Sequence, residues 1–566
     1  MNVGLVGSGP AVDAVHTALS DTDVTVESIG VDGIPSTDLA VVVGLATDDT
    51  FARANELARE SGTPWLSVEV GGIGGVPLEG IDVAVAGYAP GTGCYDCLRT
   101  RVTASDPDRA DEPRADRSAV RFGGALAGRE LVRLLSGGES RLLGGVIETP
   151  YTVRDLLPVP GCECEGESPS VESGSFEDRT VEESIARAER AVDPRLGIVG
   201  EIGEAESYPV PYYLATLRPT PFSDASAASK AAGVDAGWDA AYMKALGEAL
   251  ERYSAGVYLD ERFDRGTVPE TEGAVSPEAF VRGGPVDEPI PWVPGERLDT
   301  GEVVRLPAEF VQFPPPERRF GGAITTGLGL GNSPVEATLS GLYEVIERDA
   351  TMLSWYSTAD PLGLDVEDEG YETLVRRARG EGLEATALLV TMDVDVPVVA
   401  VAVHREAGWP NFAVGSAAAL DAVSAARSGL AEALQNWTEL RAMGREEASE
   451  QSAWIGEYAP FPEPVEEFVS TESTVSAEAV GTAEVPEGSA ELESVVDRVV
   501  GAELTPYVSS VTPRDVRSLG FEAVRVLVPE AQPLFTKEPV FAERAREVPE
   551  TMGFEARLER EPHPYP

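Results

Sequence analysis

The sequence predicts an α/β fold in two parts, and three observations carry that prediction. Asn2 to Gly7 is an apolar run that ends in Gly7-Ser8-Gly9-Pro10 and passes into Ala11 to Leu19, whose apolar residues recur at helical spacing. Leu39 to Leu45 and Ile81 to Ala86 are further apolar runs of the kind buried in a parallel sheet. Trp238 to Val257 and Pro334 to Trp355 have long helical periodicity, and each carries the motif Glu-x-x-Glu-Arg.

The N-terminal elements read as strand, glycine turn and helix, followed by a short strand at Val24 to Val26. That strand ends at Glu27, about where a dinucleotide-binding fold places its ribose-binding acid. A helix N-terminus favours phosphate. Against a bound nucleotide stand Pro10, which removes a donor, and the pattern Gly-x-Gly-x-x-Val. All four cysteines follow as two close pairs, Cys94-Tyr-Asp-Cys97 and Cys162-Glu-Cys164. Two such pairs brought together would complete a closed, all-thiolate zinc site, the alternatives being two free pairs or disulfides. Glu165 to Glu183 is rich in Ser, Glu and Gly without apolar periodicity and marks a linker, which gives a first domain at 1–165, a linker at 166–180 and a second domain at 181–566.

Composition narrows the function. The chain has 566 residues with 44 basic against 97 acidic side chains, which excludes a polyanion-binding surface and makes nucleic acid a poor partner. Three of the 44 are lysines, Lys230, Lys244 and Lys537, and so acidic and lysine-poor a surface suits molar salt, where self-repulsion is screened. A halophilic, archaeal source is the expectation. No apolar run approaches the roughly 18 residues needed to cross a bilayer, and the first basic residue is Arg53, so a cytoplasmic protein without a secretory signal is expected.

In the second part, Glu248-Ala-Leu-Glu251-Arg252 and Glu344-Val-Ile-Glu347-Arg348 repeat one pattern. At about 100° per residue Glu336 and Glu347 differ by roughly 20° around their helix, and Glu344 lies about 60° from Glu347. Three carboxylates on one stripe repel one another unless a hard cation sits among them, which points to Mg2+ carrying nucleotide phosphates, against a solvated acidic face. The glycine-rich Thr325 to Asn332 precedes the helix, whose start is marked by Pro334 after Asn332-Ser333. Lys230 stands upstream as a candidate phosphate contact, and Ala425 to Met443 predicts another helix with Glu432, Gln435 and Arg441. Glu463 to Glu493 reads as an acidic surface loop, and Pro562-His563-Pro564-Tyr565-Pro566 as an extended arm able to enter a groove.

Together Glu248-x-x-Glu251-Arg252, Gly327-x-Gly-x-Gly-Asn332-x3-Glu336-x7-Glu344-x-x-Glu347-Arg348, Glu432-x-x-Gln435 and the terminal prolines resemble the YcaO superfamily over roughly residues 181 to 566. The N-terminal part resembles the degenerate, Rossmann-like ThiF-like domain, related to ubiquitin-activating enzymes, that accompanies azoline-forming members and carries a similar paired-cysteine zinc site. The resemblance implies an α+β catalytic domain and ATP-dependent phosphorylation of a peptide amide oxygen. Cyclodehydration would then give a thiazoline or oxazoline, with thioamide formation or a non-catalytic leader-binding scaffold as alternatives. It implies that Glu248, Glu251, Glu336, Glu344 and Glu347 hold Mg2+ and nucleotide. Lys230, Arg252, Asn332, Arg348, Gln435 and Arg441 would contact ATP, Cys94, Cys97, Cys162 and Cys164 would hold zinc, and Pro562, Pro564 and Pro566 would place the chain end at the reaction. Two positions depart from the family pattern: Ser229-Lys230-Ala231 stands where Gly-Lys-Gly is frequent, and Lys244 stands in place of a serine. The partners implied are a precursor peptide with its leader, a dehydrogenase or sulfur-delivery protein, and a second copy of the chain.

Overall fold

The computed structural model describes every residue except 139, 151, 165–173, 322–323, 451–453 and 537. Most of the linker expected at 166–180 therefore lies outside the described residues. Helix Val181–Ala188 follows it, opened by a capping box between Thr180 and Glu183.

In the N-terminal part, β1 (Asn2–Val6), β2 (Thr25–Ser28), β3 (Leu39–Leu45), β4 (Trp65–Val70), β5 (Val83–Tyr88), β6 (Gly145–Glu148) and β7 (Thr152–Asp155) form one sheet in the order β2-β1-β3-β4-β5-β6-β7. The first four strands are parallel and the last three are antiparallel. The strand expected at Ile81 to Ala86 is thus two residues later and reversed. Between β4 and β5 the chain makes only a small hairpin, Gly72–Ile73 with Val76–Pro77, and no helix returns it to the far end of the sheet, as a parallel neighbour requires. Periodicity does not find β4, because all six of its residues are buried and no alternation marks it. Gly7 has φ of 111°, and a Cβ there would stand 2.3 Å from the Val43 carbonyl oxygen, so chain packing alone accounts for this glycine. Helix α1 (Pro10–Leu19) follows it, and α2 (Tyr95–Ala104) starts after Cys94.

The second part stacks three helices on three sheets. Antiparallel strands β8 (Val199–Glu206), β9 (Tyr212–Leu217) and β10 (Lys230–Val234) support α3 (Trp238–Ala255). β11 (Leu328–Gly331), in a six-stranded sheet, supports α4 (Pro334–Trp355). In a five-stranded sheet, β12 (Val398–His404) and β13 (Phe412–Ala418) support α5 (Ala422–Ala448). Each helix lies unusually close to a strand glycine: a Cβ at Gly233, Gly329 or Gly415 would fall 2.1, 2.1 or 2.4 Å from backbone of the helix above it. Helix α5 starts at Ala422, three residues before the expected Ala425, where Asp421 caps it, and Gly444 breaks it with φ of 75°, so its regular part ends at Met443 as expected.

The acidic stretch 463–493 is not a surface loop. It holds helix Glu463–Val469, which buries Val465 and Phe468, and strand Thr474–Ser476, which pairs with Leu362–Asp365. Two apolar residues three apart anchor the helix, and acid-rich composition hides them.

The two parts meet at a buried polar junction. Arg101 on α2 donates to Asp515 Oδ2 at 2.8 Å, and Tyr253 on α3 donates to the same oxygen. Arg101 also donates to the Leu157 and Pro158 carbonyl oxygens at 2.8 and 3.1 Å. Asp515 has no exposed surface, and burial alone would neutralise it; the Arg101 charge and the Tyr253 hydroxyl oppose that. Removing the carboxylate should strand a buried guanidinium. Asp515→Ala is expected to destabilise the protein by about 3–5 kcal/mol and Tyr253→Phe by about 1 kcal/mol, read from thermal melts; equal, small losses would contradict the junction's energetic role.

Candidate functional site

Acids from α3, α4 and α5 converge where the three helices face one another. From α3, Glu248 accepts from the Ala232 backbone N–H at 2.5 Å and pairs with Arg252. Arg252 reaches back to the Lys230 carbonyl oxygen at 3.1 Å, so the Lys230 backbone lies at the site while its side chain is exposed. Glu251 accepts no hydrogen bond from a described residue. Burial, with the facing Glu344 and Glu248 charges, pushes it up to about 8.

From α4, Glu344 accepts from the Gly327 N–H at 3.0 Å, and Glu347, 8% exposed, accepts from the Ser416 hydroxyl at 2.6 Å. Burial pushes Glu347 up to about 8; Arg348 opposes the shift, while Glu432 and Glu344 add to it. From α5, Glu432 accepts from the Ser416 N–H at 2.8 Å, and burial raises its pKa as well. Gln435 and Tyr212 both donate to Glu439, at 3.0 and 2.8 Å.

Other expected residues lie apart from this cluster. Glu336 accepts from both the backbone N–H and the side-chain amide of Asn332, at 2.8 and 3.1 Å. It stands eleven residues from Glu347, about 16 Å along the helix at 1.5 Å per residue, too far for the two to bind one ion. Arg441 lies 4.7 Å over the Trp437 ring and pairs with Glu206 and Glu381. Lys244 pairs with Asp235 at 2.7 Å, and its charge also acts on Glu432.

The cysteines meet away from the acids. Cys94 Sγ lies 3.8 Å from Cys97 and 3.6 Å from Cys162, and Cys97 lies 3.5 Å from Cys164, all four within 4.8 Å. Four thiolates about 2.3 Å from a tetrahedral zinc have sulfurs about 3.8 Å apart, so this spacing fits the ion. The Val159 N–H donates to Cys97 and Arg514 to Cys164, at 3.2 and 3.1 Å.

A family model described as YcaO cyclodehydratase, ATP- and Mg2+-binding, matches residues 232–532, which hold all these acids. The chain belongs to the YcaO family. An uncharacterised protein of Methanothermobacter thermautotrophicus is 32% identical over 226 residues, covering 37% of this chain and 58% of the relative. An uncharacterised protein encoded in the tfuA 3′ region of Rhizobium leguminosarum bv. trifolii is 28% identical over 165 residues, covering 26% and 39%. The chain thus spans less than two thirds of either relative. Among solved structures, a heterocyclase in complex with substrate and cofactor superposes with a TM-score of 0.72 at 21% identity, covering 98% of this chain and 83% of that one. The heterocyclase TruD gives 0.65 at 20%, covering 98% and 82%. These two structures share the fold with this YcaO chain. Among the described residues no helix is long and apolar enough to cross a membrane.

Two further features adjoin the acids of this YcaO chain. Arg525, 3% exposed, is absent from the sequence-based set; it sits in a strand that is otherwise apolar from Ala523 to Val528, and that lone charge is the signal that could have found it. It donates to the Thr325 and Ile324 carbonyl oxygens at 3.0 and 2.7 Å and feels the Glu344 and Glu251 charges, while burial pulls its pKa down to about 10. The terminal arm is buried, as an inserted extended segment would be. Trp355 donates to the Glu561 carbonyl oxygen at 2.9 Å, Tyr458 to that of Pro562, and His563 Nε2 to that of Phe535 at 2.6 Å. Tyr565 is fully buried and lies within electrostatic reach of Glu347 and Arg348, which places the arm beside the acids.

Burial pulls His563 down to about 4. An undocked arm takes up a proton near 6.5 and the docked arm does not until about 4, so docking is at full strength above pH 6.5 and weakens as pH falls. The loss reaches about 3 kcal/mol by pH 4. Hydrogen-exchange protection of the His563 and Tyr565 amides should fall between pH 6.5 and 5 while β12 stays protected; constant protection in the arm would refute this coupling.

Proposed function

We propose that the chain is a Mg2+- and ATP-dependent cyclodehydratase that forms thiazoline or oxazoline in a ribosomally made precursor peptide. The observation that carries this reading is the convergence of Glu248, Glu251, Glu344, Glu347 and Glu432 from three helices, with Tyr565 of the arm beside Glu347 and Arg348. Buried carboxylates raised by one another fit a cation, and the family supplies ATP and Mg2+ as its identity.

Bound Mg·ATP would supply the phosphoryl group that makes the amide oxygen a leaving group. This chain's residues do the rest. Glu248, Glu251, Glu344 and Glu347 would hold the metal, and Glu336 with Asn332 would brace the glycine loop. Lys230, Arg252, Arg348, Gln435 and Arg441 are the proposed nucleotide contacts, and Arg348 and Arg525 steady negative charge. The substrate's own Cys, Ser or Thr adds to the preceding carbonyl and phosphate leaves, a net loss of one water. The arm carrying Pro562, Pro564 and Pro566 would lie beside the reacting amide and help to position it.

The fit of the four thiols supports a structural zinc in a Rossmann-like, ThiF-like N-terminal domain. That domain would receive the leader peptide, and the acidic surface points to work in high salt, inside a halophile's cytoplasm.

With a candidate precursor in high potassium chloride, peptide mass should fall by one water per modified residue, dependent on ATP. Glu344→Ala with Glu347→Ala should cut the rate about a hundredfold or more. A mass gain of sulfur for oxygen would shift the reading to thioamide formation, and indifference to ATP would leave a leader-binding scaffold. Metal analysis should find one zinc ion per chain, lost in Cys97→Ser together with thermal stability; a zinc-free protein with an unchanged melt would overturn the zinc assignment.

A further inference from the structure

Beside the acids lies an apolar pocket of about 120 Å3, walled by Phe280, Phe310, Val345, Leu527, Val528 and Pro529. Phe280 and Phe310 stack at 4.2 Å and form one side. Three arginines, Arg282, Arg348 and Arg525, also line it. Each keeps a buried nitrogen with no hydrogen-bond partner among the described residues: Arg282 Nε, Arg348 Nη1 and Arg525 Nε. Arg348 Nη1 is 3.5 Å from Glu347 Oε1, an ion pair without a hydrogen bond; Arg282 Nη2 donates to the Leu534 carbonyl oxygen, and Arg525 Nη1 and Nη2 donate to those of Thr325 and Ile324.

Buried donors without a partner are costly unless an acceptor arrives. The ligand must therefore present acceptors to three guanidinium groups and apolar surface to the walls. A purine base needs an acceptor for its amine, which guanidinium groups do not offer. A phosphate could pair with the guanidinium groups but would leave the walls of Phe280, Phe310 and Leu527 uncovered. A peptide segment meets both demands, its carbonyl oxygens on the arginines and one aliphatic side chain against the rings. The volume equals about four waters at roughly 30 Å3 each, which suits a side chain of Leu size. Because Arg348 and Arg525 also face Glu344 and Glu347 or Glu251, such a segment would lie next to the reacting amide.

We infer that this pocket selects the substrate: it seats an apolar side chain of the peptide flanking the amide that reacts. The inference rests on the peptide-modifying reading above. The test uses fluorescein-labelled Gly-Gly-X-Cys-Gly-Gly peptides with X as Leu, Ser or Asp, titrated onto the full chain with Mg2+ and a non-hydrolysable ATP analogue. The Leu peptide should bind at least tenfold more tightly than the Ser and Asp peptides. Ala531→Phe, which fills the pocket, should reduce that preference below threefold. Arg282→Gln, at a partly exposed position, should weaken all three peptides about tenfold and keep the Leu preference, and it decides the matter if Ala531→Phe fails to fold. No Leu preference in the wild type, a preference that survives filling, or no binding at all would overturn the pocket's role. Nucleotide binding is measured in the same samples: its loss in the wild type would sink the proposed function, whereas retained nucleotide binding without peptide discrimination would sink the pocket alone.

Discussion

Carboxylates that face one another with little access to water set the terms for the rest of this structure. Glu248, Glu251, Glu344, Glu347 and Glu432 come from three helices into one space, and Arg252, Arg348 and Arg525 are too few to balance them. Two charges about 4 Å apart interact by about 4 kcal/mol at an effective dielectric of 20, so the arrangement persists only where protons or cations share the space. Glu251 and Glu347 report this by their raised pKa values. An acidic surface face would dissolve the problem in water; this cluster cannot.

The fold holds the acids in place with backbone. Glycines in β10, β11 and β13 let each helix approach its strand within side-chain-free distance, and the N–H groups of Ala232, Gly327 and Ser416 at those same strands point at Glu248, Glu344 and Glu432. One device thus recurs in all three layers: a small residue draws the helix in, and a nearby amide orients its acid. Arg525 and the buried terminal arm enter from two further directions, so the site is assembled from five separate chain segments.

That assembly explains what the sequence revealed. The paired Glu-x-x-Glu-Arg motifs are legible because helical spacing is local, and the terminal prolines because alternating Pro permits only an extended chain. The cysteine pairs are legible because thiols are few. Arg525 lies some 180 residues from Glu344 in sequence, and no local pattern joins them. The direction of β5 depends on what the preceding hairpin lacks, and Glu336 shares the stripe of Glu347 by angle while axial distance separates them. Angle on a helix wheel is visible in one dimension; depth along the axis and partners across sheets are not.

A buried junction joins the two halves. Arg101 stands one turn beyond Cys97 on α2, and Tyr253 stands two residues beyond Glu251 on α3. Both converge on Asp515, which follows Arg514, itself bonded to Cys164. Three short covalent steps and three polar contacts therefore run from the thiol cluster to the base of the acidic helix, through a junction in which Arg101 and Asp515 are buried. The N-terminal part thus braces α3 from behind, and α3 carries the one acid of the cluster, Glu251, that no described hydrogen bond orients. Its position depends on the helix beneath it, and the helix depends on the junction.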